Sequence, residues 1–573
     1  MEEKPIINCH THIFIGKNIP PYIGKTFMPA ILYRLFTIPL VIGICKFWFT
    51  SRYSPYQFKF NIEFNNLKKT NLKIRQFWQS NKILKGIIDT IAFLLILYTA
   101  YLLFQYFFKK IEWIENKLDL VYQIQAFNWL NNKNSQIAIV LFTIILIPYG
   151  RKIALLILKN SKKLSFLFVN ENQAKFIARY INIGRFAYYD NQYNIYSKLK
   201  QQYPIKTKFV ILPMDMEYMD AGKLTKEGSY ENQMLQLKSI KKNHPEALPF
   251  VFVDPRRENV GYQDFMKWRP EKGKVILEDC FIKKYIEEEK FSGFKIYPAL
   301  GYYPFDEKLL ALWKYAADNG IPIMTHCIRG TIFYRGTKKE EWNYHPIFKQ
   351  KVNTKTDDLD YLFLPNQKNI DFSVDFTHPL NYLCLLDEKL LVKLVQKAKD
   401  DKIRELFGYD PLTNTISSNL SKLKICLAHF GGDDEWKKYL ESDRDGYTQQ
   451  LVTKPENGVS FFKNNDLEQS YGLLENIWRG VDWYTIITSL MLQYDNVYAD
   501  LSYIIHNKEI FPLLKQTLQN EELQKRILFG TDFYVVRNHL TEKEMLANTQ
   551  ANLSKEEFDN IARKNPISYL NLN

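Results

Sequence analysis

At 573 residues the chain is too long for one ordinary hydrophobic core, and 46% hydrophobic with 24% charged residues are the proportions of a globular protein. The formal net charge of +15 would suit a nucleic-acid binder, but its location excludes that reading: Ile13 to Ser165 carries 21 Lys+Arg against 5 Asp+Glu, which leaves the rest near −1. Cys9, Cys45, Cys280, Cys327, Cys384 and Cys426 are scattered without a C-x-x-C pair, against a disulfide framework or zinc ribbon and for free thiols in a reducing compartment.

The chain begins with "MEEKPIINCHTH", an acidic start that lacks the basic and apolar regions of a signal peptide and reads as a strand ending in His10 and His12. Ile13 to Ser165 then reads as a helical insertion whose basic residues flank apolar runs, the pattern attracted to an anionic membrane surface. Leu35 to Cys45 is short and interrupted by Pro39, which suits an interfacial or re-entrant segment. Thr90 to Phe108 has 19 residues without a charge, close to the ~20 needed to cross the hydrocarbon core. Ser135 to Gly150 is shorter and is followed by Arg151 and Lys152, placed to snorkel. Two transmembrane helices are expected, at about 86–108 and 135–156. The balanced charge of Lys109 to Lys133 would put that stretch outside and the flanking domain in the cytoplasm. A soluble helical cap, packed on the remainder of the chain or on a partner, is the alternative.

From residue 166 onward, β-rich apolar runs alternate with helical patterns. The runs are "KFVILPMDM", "LPFVFVDP", "GFKIYPAL", "IPIMTHC", "LKICLAHFGG", "NVYADLSY" and "KRILFGTDF". With the first strand they number eight, which predicts an α/β (β/α)8 TIM-like barrel with the insertion after strand 1. Residues 331–421 and 433–495 follow strands five and six and are expected to wall the active-site face.

His10 and His12 close strand one, His326 strand five, His429 strand six and Asp532 strand eight, so all converge on one mouth. His-x-His on a strand directs both imidazoles to one face, and imidazoles with a carboxylate suit zinc or a similar divalent ion. Either histidine of such a pair can instead be a buried, hydrogen-bonded group.

The pieces "CHTH", "GFKIYPALGYYP", "MTHC", "HPLNYL", "LKICLAHFGG", "VYADLS", "ILFGTDF" and "FDNIARKNPISYL" resemble the amidohydrolase superfamily, in its amidohydrolase-related branch with decarboxylases of the aminocarboxymuconate-semialdehyde type. The resemblance spans the start and most of the chain after Val169, not the insertion. It implies one divalent metal, zinc, held by His10, His12, His326 and Asp532, with His429 as general acid/base and Asp532 as a second proton acceptor. Lys295 stands where some members carry a carboxylated lysine bridging a second metal.

Arg329 could anchor a substrate carboxylate or form a surface salt bridge, and Tyr302 could line the pocket or pack at its rim. His378 reads as a structural hydrogen-bonder and Asp500 as a group behind the ligands. The resulting expectation is a membrane-attached metal-dependent hydrolase of an amide, ester or lactone bond, with a small-molecule or amphiphilic substrate and a homo-oligomer compatible with the sequence. A metal-dependent decarboxylase of an unsaturated or aromatic acid is the alternative, and a non-catalytic membrane scaffold a second one.

Overall fold

A computed structural model describes residues 4–22, 82–107, 111–147, 189–351, 358–441, 446–461 and 473–572, with isolated positions at 38–70 and 149–156. The chain divides into two units, Met1–Gly43 with Arg179–Asn573, and Ile44–Ala178.

The larger unit is built on parallel strands: β1 (Ile7–Thr11), β2 (Lys208–Ile211), β3 (Ala247–Pro249), β4 (Val251–Phe252), β5 (Phe294–Ile296), β6 (Ile323–Ile328), β7 (Ile425–Gly431), β8 (Val497–Asp500) and β9 (Ile527–Leu528). Each of the eight expected runs contains one, with β3 and β4 sharing "LPFVFVDP". The ladders form a three-stranded sheet, β1-β2-β3, and a six-stranded sheet in the order β9-β8-β7-β6-β5-β4. The expected single closed ring is therefore two ladders, because pairing changes partner at Phe250 and β9 has only two residues. Phe250 N–H donates to the Ile211 carbonyl (3.0 Å), whereas Val251 N–H donates to Gly293 (2.9 Å). At the other seam, Cys9 N–H donates to the Phe529 carbonyl (2.8 Å) and Thr11 bridges Phe533 in parallel.

Apolar runs suit these strands because both faces are buried. One face gathers alternate residues such as Cys9, Val210, Met324, Cys426 and Leu528, closed by Tyr569 near the C-terminus, whose hydroxyl donates to the Ile323 carbonyl (2.9 Å). The opposite face, with Phe209, Phe294, Ile425 and Leu427, packs under the helices. Glu307–Asn319 is typical of these: Asp306 caps its first turn by accepting from Lys308 N–H (3.0 Å), and Gly320 ends it at φ +64°.

The smaller unit contains Lys82–Phe107, a 26-residue helix. Its Ile83–Phe107 portion is, among the described residues, the one helix long and apolar enough to cross a membrane, and Ile87, Ile91, Phe93, Leu94 and Leu97 are exposed on it. It packs against Lys133–Leu146, where Thr99 hydroxyl donates to Thr143 (3.0 Å). That second helix has 14 residues and stops at Ile147, which is extended (ψ 111°). The expected continuous span over 135–156 is thus interrupted, since a residue preceding proline, here Pro148, is pushed out of the helical region. Most of Leu35 to Cys45 and of the basic stretch after it lies outside the described residues.

Gly293 leads into β5 where a Cβ would lie 2.6 Å from the Phe250 ring and 2.7 Å from the Pro322 carbonyl. Gly293→Ala should destabilise the larger unit by about 1–3 kcal/mol, read as a lowered denaturant midpoint with an unchanged slope.

Candidate metal centre

His10 lies in β1 and His12 just beyond it, and both are buried. Their Nε2 atoms approach to 3.3 Å, and Asp532 Oδ1 lies 3.7 Å from His10 Nε2 and 3.3 Å from His12 Nε2. Each ring is held from behind. Asp500 Oδ2 accepts from His10 Nδ1–H (2.8 Å) and the Leu212 carbonyl accepts from His12 Nδ1–H (2.8 Å). Those bonds place the proton on Nδ1 and leave both Nε2 lone pairs turned toward the Asp532 carboxylate, the arrangement of ligating histidines with orienting partners.

Strand irregularities produce this convergence. The β1–β2 register shifts between Asn8 and Thr11, and the β6–β7 register shifts between His326 and Ile328. His429 and Asp532 adopt φ +63° and +62°, a region costly for residues with a Cβ. Backbone bonds hold both: His429 N–H donates to Asp500 Oδ1 (3.0 Å), and Asp532 N–H to the His10 carbonyl (2.9 Å).

A divalent ion with ligands at about 2.1 Å separates its donor atoms by roughly 3.0–3.4 Å. The His12 distances to His10 and Asp532 (both 3.3 Å) fit that requirement and the His10–Asp532 distance (3.7 Å) exceeds it by a few tenths, so these three form one compact donor group that a small closure would complete. His326 stands outside it. Its ring is stacked on Tyr297 (centroids 3.8 Å, 13°), and its Nδ1 bonds His429 Nε2 (3.1 Å). Its Nε2 is buried without a hydrogen-bond partner. His10, His429 and Asp500 form a second close group, but Asp500 reaches His10 on the ring edge facing away from Asp532.

His429 Nδ1 lies 2.8 Å from the Ser502 hydroxyl, which in turn donates to Asp500. That chain leaves His429 Nε2 as the unprotonated atom. Burial, reinforced by the nearby His10, lowers the His429 pKa to about 3, and burial, with the neighbouring imidazoles and the Lys295 charge, likewise keeps His10 and His326 neutral. Lys295, in the middle of β5, is fully buried with no hydrogen-bond partner on Nζ. Burial lowers its pKa to about 8 against the pull of Asp500 and Asp532.

The two weaker expected contacts divide, Arg329 lining the cleft described below and Tyr302 not. Tyr302 is buried with its hydroxyl bonded to the backbone of Val253 (3.1 Å) and Tyr297 (2.9 Å), so it braces the loop after β5 (Phe294–Ile296) instead of lining the cleft. Arg329 is exposed and salt-bridged to Asp371. His378 is structural as expected: Nε2–H donates to the Trp478 carbonyl (3.0 Å) and Nδ1 accepts from Leu380 N–H (3.3 Å). Ser502 and Tyr297 were missed. "YADLS" placed Ser502 two residues beyond Asp500, which was the available signal; Tyr297 carried none.

A cleft of about 550 Å³ opens beside the centre. Its lining includes Ile328, Gly431 and Tyr503, which closely follow His326, His429 and Ser502 in the chain, together with Asp375 and Trp478.

No protein-family model matches the chain, and no curated protein is similar to it. Among solved structures, 5-carboxyvanillate decarboxylase from Novosphingobium aromaticivorans, with bound manganese, is 11% identical at TM-score 0.34, covering 67% of this chain and 85% of its own. Dihydroxybenzoic acid decarboxylase from Polaromonas sp. JS666, also with manganese, is 11% identical at TM-score 0.35, covering 71% and 92%. An amidohydrolase from Mycobacterium avium subsp. paratuberculosis is 13% identical at TM-score 0.29, covering 67% and 75%. These similar structures are amidohydrolase-superfamily members. At such similarity, reaction and ligand are read from this chain's own side chains.

Burial also lowers the His378 pKa to about 3. The unfolded chain, near 6.5, takes up that proton first, so the contribution of His378 is complete above pH 6.5 and is lost as pH falls toward 3. Unfolding titrations of wild type and His378→Gln should diverge by about 1.4 kcal/mol per pH unit in that window, wild type losing more.

Proposed function

We propose that the protein is a membrane-attached, metal-dependent hydrolase built on a (β/α)8 barrel, cleaving an amide, ester or lactone bond. The observation that carries this reading is the buried donor group of His10, His12 and Asp532, with both imidazole lone pairs directed inward by Asp500 and Leu212. His10, His12 and Asp532 would hold the ion, and His326 offers a further unpartnered imidazole lone pair. A zinc or similar divalent ion there would polarise a carbonyl and acidify a water.

His429 takes the proton. Its neutral imidazole has Nε2 as acceptor because Ser502 and Asp500 hold the opposite nitrogen, and the water's proton would displace the bond that His326 Nδ1–H donates there. The proton accepted at Nε2 then passes to the leaving group, returning His429 to its neutral form. Asp532 shares the acceptor role through its carboxylate. The buried ammonium of Lys295 offsets the charge of Asp500 and Asp532, while a carboxylated Lys295 would be the two-metal version of the same site.

The purified protein should contain one divalent ion per chain by elemental analysis, and two would favour the carboxylated lysine. His12→Ala and Asp532→Asn should each weaken metal binding by at least about tenfold. Ion-free protein with the stability of His10→Ala would instead favour a scaffold. In turnover assays, two organic products mark hydrolysis, whereas carbon dioxide release would transfer the site to a decarboxylase.

Membrane attachment is supported by the exposed apolar surface of Lys82–Phe107 and by the basic sequence flanking the apolar runs, which favours a cytoplasmic catalytic domain. The protein should float with anionic lipid vesicles. Replacing both Leu94 and Leu97 by Arg, at a cost of about 2.5–3.5 kcal/mol per charge at the bilayer centre, should shift it to the aqueous fraction.

A further inference from the structure

The cleft beside the metal centre is lined in part by a buried carboxyl that the proposed reaction does not use. Asp375, on the helix Asn369–Thr377, is 6% exposed. One carboxyl oxygen accepts from the Trp478 indole N–H (3.3 Å), and the other has no hydrogen-bond partner. The residue is held in place from both sides. Trp478 is stacked on His378 (centroids 3.8 Å, 11°), and the Asn381 amide donates to the Asp375 carbonyl (2.8 Å). A buried carboxylate oxygen without a donor is costly to keep, so its position on a cleft wall calls for a donor from a ligand.

The charges around it select the kind of donor. Each basic side chain on the cleft wall is already paired: Arg329 with Asp371, Lys438 with Glu435 (2.9 Å) and Arg479 with Glu475 (2.9 Å). Among the described residues, Asp375, Asp433 and Asp434, on the same wall, form no ion pair. Lys338, which also faces Asp375, donates to the Leu364 and Asn366 carbonyls (2.7 and 2.8 Å), so Asp375 itself has no ion-pair partner among the described residues.

We infer that Asp375 is a specificity-determining residue of the cleft, pairing with an ammonium group carried by the substrate. The inference rests on the cleft being the substrate site of the proposed enzyme. It narrows the substrate class to amine-bearing amides, esters or lactones, and it separates recognition at Asp375 from chemistry at His10, His12, His429 and Asp532. The groups facing Asp375 are Asp371 on its own helix, Trp478 and Arg479 on Leu473–Gly480, Lys338, and the buried Tyr303 phenol. Burial outweighs the Trp478 hydrogen bond and the Lys338 and Arg479 charges, and lifts the Asp375 carboxyl to about 7.

Calorimetric titration of the metal-loaded full chain with benzylamine and with benzyl alcohol tests the inference without requiring turnover. Wild type should bind benzylamine at least about tenfold more tightly, as a charge-assisted bond to a buried carboxylate predicts, and Asp375→Asn should lose that preference. Equal affinities in wild type, or a preference retained in Asp375→Asn, would overturn it. Wild type supplies a second measurement should the variant not fold. Its benzylamine affinity should fall about tenfold per pH unit below 7 as the carboxyl protonates, with metal content checked at each pH, and a flat profile from about 5.5 to 8 would overturn the inference. A metal-free protein that keeps the benzylamine preference would reject the metal reading alone. A metal-loaded protein without the preference would reject the role of Asp375 alone.

Discussion

One buried carboxylate organises the centre. Asp500, at the end of β8, accepts from His10 Nδ1–H, from the backbone N–H of His429 and Ser502, and from the Ser502 hydroxyl. Taking an anion out of water costs several kcal/mol, which only such a set of donors can offset. The donors come from three strand ends, so meeting the needs of this one group ties β1, β7 and β8 together at the mouth. It also supports His429 in a backbone conformation that a free chain would avoid. The orientation of the donor group and of His429 therefore has a common origin.

Neutrality is the second consequence. Burial holds His10, His326 and His429 uncharged, and the hydrogen bonds behind His10, His12 and His429 decide which nitrogen keeps its lone pair. A cluster of imidazoles with inward lone pairs is poor company for protons and good company for a cation, and the nearby Asp532 supplies the compensating charge. The inferred recognition group has its own support: Asp375 is held by the Trp478 indole, which is stacked on His378.

Much of this was legible in the chain. The eight apolar runs each hold a strand, because a parallel strand buried on both faces must be continuously apolar. His10, His12 and Asp532 were legible as strand-end residues that meet at one mouth. Arg329 and Tyr302 were not resolvable, since an arginine or tyrosine after a strand looks the same whether it meets a ligand, a carboxylate or a backbone carbonyl. The second apolar run was read by composition, while Pro148 acts on the backbone of the residue before it and ends the helix at Leu146.

By itself, then, the sequence determined the strand order, the separation of a basic apolar insertion from a near-neutral larger unit, and the residue types available at the mouth, because periodicity and composition are local properties. The tertiary structure alone decided which of those residues share a centre. It drew His326 out of the donor group onto Tyr297, turned Asp500 into the common anchor of His10, His429 and Ser502, and left Asp375 without a partner on the cleft wall. Ring orientation, tautomer and unmet hydrogen bonds depend on residues hundreds of positions apart, and only packing brings those within reach.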